Sequence, residues 1–324
     1  MFVKMIEMLK QNRKTLVFPE GHDLRILQAV VRLKHEGILE PLLLGDEAQV
    51  KQLAKDNGLD LEGIEIINPA SYSRFDEMVE TMAELRKGKM TADECRAALM
   101  KTNYFGTMLV KMGVADGLLG GATYSTADTV RPALQLIKTK PGNKIVSSCF
   151  ILHREGPDGG ERMAMADCAI NLFPTEDELI EITTETAATA KLFDIDPKVA
   201  LLSFSTMGSG KGESPEKMRN AVAKLKAMNL DFDVDGELQF DAAVSAEVGK
   251  LKAPDSKVAG CANTFIFPDI NAGNIGYKIA QRLGGFEALG PILMGLNAPI
   301  NDLSRGTNTE EVYKMAIITA ATSV

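Results

Sequence analysis

Short apolar runs alternate with stretches of helical periodicity along nearly all of this chain, and no other feature restricts its fold as much. The first half reads as strands at 15–18, 41–44, 64–67 and 117–119. Helices are predicted at 23–35, 47–56, 74–86, 92–101, 105–112 and 125–137. Strands that are apolar throughout, rather than at every second residue, fit a sheet buried on both faces by helices. The implied architecture is doubly wound α/β, whose ligands sit at the carboxyl ends of the strands.

After Lys138-Thr-Lys-Pro-Gly-Asn143 the pattern changes, and the Pro-Gly pair marks that segment as a linker. Two β-rich runs, 145–152 and 163–170, flank a Gly/Pro/Asp turn at 155–161 and predict a hairpin. Strands at 199–204, 232–234, 258–267 and 291–296 follow, with helices at 176–192, 214–227, 242–248, 275–283 and 310–321. The last strand, wholly apolar, reads as one buried in a parallel sheet. A length of 324 residues suits two domains, each with its own core. The last helix is expected to return to the first of them. The expected division is therefore 1–142 plus 297–324, and 143–296.

Composition removes several classes of partner. A formal charge of -8 argues against nucleic acid and against an anionic membrane surface. No stretch approaches the roughly 20 apolar residues that span a bilayer. Cys95, Cys149, Cys168 and Cys261 are scattered, and only three histidines are present, so neither a metal site nor a disulfide framework is expected. The chain reads as reduced, soluble and cytoplasmic. An acidic protein that binds anions must concentrate positive potential locally, which makes arginines in strand-end loops informative.

Such loops are present. The run Gly290–Gly306 leaves its apolar strand at Asn297 and Pro299, then delivers Asp302, Ser304, Arg305 and Gly306 just before the last helix. A hydroxyl, a guanidinium and a free backbone N–H at a helix N-terminus suit a phosphate or an oxyanion. Thr307 and Glu310 have capping-box spacing, which makes Glu310 and Glu311 first-turn acids that complement the helix dipole. A second loop, Gly120-Gly121-Ala-Thr-Tyr-Ser-Thr-Ala-Asp-Thr-Val-Arg131, has glycines that let N–H groups approach a ligand. There Ser125 and Asp128 have capping-box spacing, and Arg131 follows along the helix. Ser205 to Gly212 invites a nucleotide-loop reading but lacks the first glycine and the final hydroxyl of that motif. No G-x-G-x-x-G follows the first strand, so a dinucleotide site lacks its fingerprint. Cys168, inside an apolar run, fits a buried structural thiol better than a nucleophile.

Together, Phe18-Pro-Glu-Gly21, Leu85-Arg-Lys87, the block 120–132, Ala166-Asp-Cys-Ala169, the block 267–278 and the block 290–306 resemble the phosphate acetyl- and butyryltransferase family. The resemblance runs from about residue 14 to the C-terminus. It implies reversible transfer of acetyl between coenzyme A and phosphate, directly within a ternary complex and without a cofactor. It also implies two α/β domains with a cleft between them, like isocitrate and isopropylmalate dehydrogenases, and a homodimer. Carried over residue by residue, Ser304, Arg305 and Glu311 are the catalytic candidates. Arg86 and Arg131 carry over as substrate-binding residues, and Ser125, Thr126, Asn271 and Asn301, within the matching blocks, are further substrate-binding candidates. The family usually has aspartate where this chain has Glu311, the expected base for the CoA thiol. Moving a thiol proton to an ordinary carboxylate costs about 5.7 kcal/mol. That lies within the barrier of about 13 kcal/mol that a turnover near 10³ per second allows. A butyryltransferase and an acetyl-CoA sensor without catalysis are the competing readings.

Overall fold

The chain begins with a helix that its lysine-rich composition conceals. Phe2–Gln11 (α1) sets Met5 and Leu9 one turn apart, and both are buried on the side that meets the chain's last helix. The computed structural model describes residues 2–156 and 160–323. The chain divides into two compact units, Met1–Pro141 with Leu296–Val324, and Gly142–Gly295.

The first unit continues through Thr15–Phe18 (β1), Leu24–His35 (α2), Glu40–Leu44 (β2), Glu47–Asp56 (α3) and Glu65–Ile67 (β3). Phe75–Leu85 (α4), Ala92–Leu99 (α5), Thr102–Lys111 (α6), Gly117–Gly120 (β4) and Thr126–Pro132 (α7) follow. The helix predicted over 125–137 is not uniform. Beyond Pro132 it widens into a π turn, Ala133–Ile137, in which Lys138 N–H reaches back to the Ala133 carbonyl at 2.9 Å.

The second unit opens with Ser147–Arg154 (β5) and Glu161–Ala166 (β6), antiparallel as a hairpin requires; within its connecting turn, residues 157–159 lie outside the described residues. Glu176–Leu192 (α8), Lys198–Leu202 (β7), Glu213–Lys226 (α9) and Asp233–Leu238 (β8) come next. The helix expected at 242–248 is two, Phe240–Val244 (α10) and Ala246–Lys252 (α11), parted at Ser245, whose hydroxyl caps the second. Thr264–Ile266 (β9), Ile270–Arg282 (α12) and Glu287–Met294 (β10) complete the unit. The chain then returns to the first unit with Ile300–Asp302 (β11) and Thr309–Ala321 (α13).

The sheet of the second unit has the order β10-β5-β6-β9-β7-β8, parallel only from β6 onward. β10 is therefore not the parallel strand its apolar run suggests. It is an antiparallel edge strand, and its register shifts between Leu289 and Ile292, where Pro291, lacking an N–H, is tolerated. The strand predicted over 163–170 stops at Ala166. Asp167 collects the N–H groups of Ala169, Ile170 and Asn171 and turns the chain out of the sheet. The strand predicted over 258–267 shrinks to β9 for a related reason. Turns at 256–261 are held by Ser256 and by the Val258 carbonyl before the chain can extend.

The first unit's sheet is wholly parallel, β11-β4-β1-β2-β3. α2 buries Ile26, Leu27, Val30 and Leu33, one helical face, while α13 is buried nearly all round from Val312 to Ala321. Both occupy one side of the sheet, and α4, α5 and α6 supply the core on the other. β11, too short to read in the sequence, pairs Asp302 with Gly120. The loops after β1, β4 and β11 thus leave the sheet side by side at its carboxyl edge.

Candidate active site

Glu20, just beyond β1, is the group around which that edge is built. It is 1% exposed, and its carboxylate accepts the N–H groups of Gly121 at 2.8 Å and Ala122 at 3.0 Å, with the N–H and hydroxyl of Thr123. The N–H groups that the sequence offers to a ligand are therefore taken by an internal carboxylate. The two glycines have a packing reason instead. A Cβ at Gly120 would collide with the Tyr124 hydroxyl, and one at Gly121, where φ is +109°, with the Asp302 carboxylate.

Asp302, at the end of β11, accepts from the Thr126 and Thr129 hydroxyls, each at 2.6 Å, and so ties α7 to the sheet. Burial pushes the Asp302 pKa up and Glu20 adds to this, while the two hydroxyls pull it back. Burial beside the same two carboxylates also raises the Tyr124 phenol well above its ordinary value. Thr126, expected to touch substrate, has its hydroxyl on Asp302. The Ser125 hydroxyl donates to Asp128 at 2.7 Å, and the Ser125 N–H donates to the same carboxylate oxygen at 3.4 Å, the limb of the capping box that the spacing predicts. Side chains alternate along a strand, so Asn301 points the other way. It is 1% exposed with its amide on Thr319 of α13 at 2.9 Å, buried away from the loops it was expected to join.

The Ser304-Arg305-Gly306 loop is exposed. Its Gly306 N–H is not free, since it donates to Ser304 Oγ at 3.2 Å, and Thr307 N–H donates to the Ser304 carbonyl at 2.9 Å. Because Oγ accepts in that turn, its own hydrogen remains available to donate. The helix begins one residue later than the spacing predicts. Asn308, not Thr307, caps α13, and its box partner is Glu311, not Glu310. Glu310 instead pairs with Arg32 of α2 at 2.7 Å.

Arg86, Arg131 and Arg305 differ from their neighbours. Arg25, Arg32, Arg74, Arg96 and Arg154 all hold carboxylates. Among the described residues, the side chains of Arg86, Arg131 and Arg305 form no ion pair. Arg86 sits at the end of α4 with its Nε buried and unpartnered. It and Arg131 flank Tyr104, whose phenol is raised by burial while both arginines pull it down. The Tyr104 hydroxyl donates to Gln135 at 3.0 Å. α7 links this pair to the Ser304 loop, since its first turn is tied to Asp302 and its last carries Arg131. Asn271 belongs to the other unit, exposed on the first turn of α12.

Sequence reading missed Glu20 and Arg25, the residues that organise these loops. The available signal was an acid two residues past a buried parallel strand, followed within five residues by an arginine in the first turn of a helix. Elsewhere the thiols of Cys149 and Cys168 are buried and raised by that burial, which suits structural cysteines. Among the described residues, no group of three His, Cys, Asp or Glu side chains stands together to hold a metal, and no helix is long and apolar enough to cross a membrane. The Gly/Ser loop after β7 closes on Glu237, which takes the Gly208 N–H and the Ser205 hydroxyl, each at 2.8 Å.

Fold and site together define a doubly wound α/β protein that presents an unpaired arginine beside a hydroxyl at the carboxyl edge of a parallel sheet, an arrangement for a small anion. The family model for Phosphate acetyl/butaryl transferase matches residues 1–320, and the chain belongs to that family. Phosphate acetyltransferase of Bacillus subtilis (strain 168) is 54% identical over 306 residues, 94% of this chain and 94% of its own length. A phosphotransacetylase structure from Streptococcus pyogenes superposes with a TM-score of 0.96 at 55% identity, covering 99% of this chain and 97% of that one. A branched-chain phosphotransacylase from Enterococcus faecalis V583, 20% identical with a TM-score of 0.68 over 95% of this chain and 98% of that one, shares the fold.

Proposed function

We propose that this chain is a phosphate acetyltransferase that moves acetyl reversibly between coenzyme A and inorganic phosphate. The observation that carries the reading is the Ser304–Arg305 pair, an unpaired guanidinium next to a hydroxyl whose hydrogen is free, in a chain 54% identical to a phosphate acetyltransferase. In the direction of acetyl-CoA synthesis, the CoA sulfur attacks the carbonyl carbon of acetyl phosphate, the C–O bond to phosphate breaks, and the thiol proton passes to Glu311. Arg305 and Arg86 hold the phosphate or acyl-phosphate group, and Arg131 assists. Bidentate guanidinium forks suit these oxygens better than ammonium groups do. Ser304 donates to the oxygen that gains charge in the transition state, a contribution of about 3 kcal/mol for donors of this kind. The thiol state of Cys168 supports direct transfer over an acetyl-cysteine.

The test is phosphate-dependent release of CoA from acetyl-CoA, with arsenate as a substitute acceptor. Near-native turnover and phosphate KM in Arg305→Lys would remove Arg305 from this role. Binding of acetyl-CoA with no such release would favour a sensor, and the ratio of kcat/KM for acetyl- and butyryl-CoA separates the two transferase readings. The same proposal includes a homodimer in a reducing cytoplasm. The unpaired cysteines support the compartment, and an exposed apolar stripe along α12 and its C-cap, Ile275, Ile279 and Leu283, supports the dimer.

A further inference from the structure

Arg25 stands in the first turn of α2, where a cation opposes the helix dipole. A local rule broken in this way calls for a compensating contact elsewhere. The compensation is complete. A guanidinium has five N–H donors, and each of Arg25's has an acceptor. Nε donates to Asp23 Oδ1 at 3.0 Å, and Nη2 to Asp23 Oδ2 at 2.7 Å and to the Ala122 carbonyl at 3.0 Å. Nη1 donates to the carbonyls of Arg305 at 3.0 Å and Thr307 at 2.9 Å. One planar group thus joins the loops after β1, β4 and β11, and it retains no donor for a ligand. In this it is the opposite of Arg86, Arg131 and Arg305.

We propose that Arg25 is a positioning residue: it fixes the path of the Ser304–Thr307 loop and thereby aims the Ser304 hydroxyl and the Arg305 guanidinium at the phosphoryl end of the substrate. The proposal rests on the acetyltransferase reading for its kinetic consequences but not for the order of the loop. Lysine cannot replace Arg25, because three donors on a rotating ammonium do not match a carboxylate and three carbonyls fixed on three separate segments.

The experiment compares the full chain with Arg25→Lys, Arg25→Gln and Asp23→Asn. The last keeps the helix cap, since Asn caps as well as Asp, but loosens the grip on Arg25 and guards against a variant that fails to fold. In folded Arg25 variants, kcat/KM for phosphate falls roughly 10–100-fold, as expected for a slightly misplaced reacting group. KM for phosphate rises, KM for acetyl-CoA stays at the wild-type value, and amide exchange at 304–307 quickens. Asp23→Asn moves the same quantities less. A loss of folded protein alone would lower kcat and leave both KM values unchanged. Unchanged phosphate kinetics, or unchanged exchange in the loop, overturns the proposal. A wild-type chain without turnover would sink the acetyltransferase reading by itself, and the exchange comparison would still decide the part played by Arg25.

Discussion

Asn308 and Glu311 hold each other at the start of α13. Asn308 Oδ1 accepts the Glu311 N–H at 2.9 Å, and Glu311 Oε2 accepts the Asn308 N–H at 3.2 Å. The proposed thiol base is therefore also half of a capping box, with its second carboxylate oxygen open and its side chain exposed. Gln accepts the same N–H, so Glu311→Gln keeps the cap and removes only the base. Stability by urea unfolding should stay within about 0.5 kcal/mol of wild type. The maximal rate should fall roughly 10²–10⁴-fold. An unchanged rate would leave Glu311 a cap alone, and Asp302 would be no substitute, because both of its oxygens are buried against Thr126 and Thr129.

Glu20 offers the opposite case, a carboxylate whose work is internal. In Glu20→Gln one oxygen becomes an NH₂, which would face either the N–H groups of Gly121 and Ala122 or that of Thr123, all of which now donate to oxygen. Buried donors left without an acceptor, next to the loss of charge-assisted bonds, should cost about 3 kcal/mol in urea unfolding. The 120–126 loop should also exchange its amides faster. Wild-type stability would mean that the loop holds without this carboxylate.

How far the sequence could be read follows from which forces are local. Apolar periodicity located nearly every strand and long helix, because burial on a sheet face is written in the order of side chains. The resemblance to the family singled out Ser304, Arg305, Arg86 and Arg131, and among the described residues the three guanidiniums pair with no carboxylate. What misled was the reading of the Gly120-Gly121 loop as open to a ligand. In both units a buried glutamate, Glu20 or Glu237, takes N–H groups of a glycine-rich loop, and the partners lie 101 and 29 residues apart in sequence. A cap can shift by one residue for equally nonlocal reasons. Glu310 is drawn to Arg32 on another helix, which leaves Glu311 for Asn308. Period-two alternation on β11 should have separated Asn301 from Asp302, but a three-residue strand leaves too short a pattern to see.

Tyr313 carries a dependence on alkaline pH. It is 6% exposed and donates to Glu36 at 2.6 Å beneath the Arg32 guanidinium. Burial, with the Glu36 carboxylate adding to it, pushes its pKa up to about 12. An unfolded tyrosine titrates near 10, at roughly that value. Below that pH both states keep the proton and the contribution is fully present. As pH rises further the unfolded chain ionises first, and the contribution is lost as pH passes through about 12. Phe cannot ionise. Tyr313→Phe should cost about 2 kcal/mol near neutral pH, the worth of a hydrogen bond to a charged group. That gap should narrow in urea midpoints measured above the ordinary tyrosine pKa. A gap that stays constant with pH would show that Tyr313 does not titrate late in the folded chain.

On α12 and at its C-cap, Ile275, Ile279 and Leu283 are 57%, 54% and 84% exposed, while Gly273 is buried and Ala272, Tyr277 and Ala280 pack on the unit's core. Spacing of four residues lines the three up on one face, turned away from that core. Covering such side chains is worth roughly 1.5–3 kcal/mol each, and a twofold interface would bury every one of them twice. The wild-type chain should therefore sediment at twice its 35.0 kDa mass. Ile279→Glu combined with Leu283→Glu should give a monomer, because paired chains would bury four unpartnered carboxylates across the axis. The protomer's own thermal transition should change little beyond the loss of its partner, since neither side chain supports the core. A double variant that still sediments as a dimer would move the interface to another face of the chain.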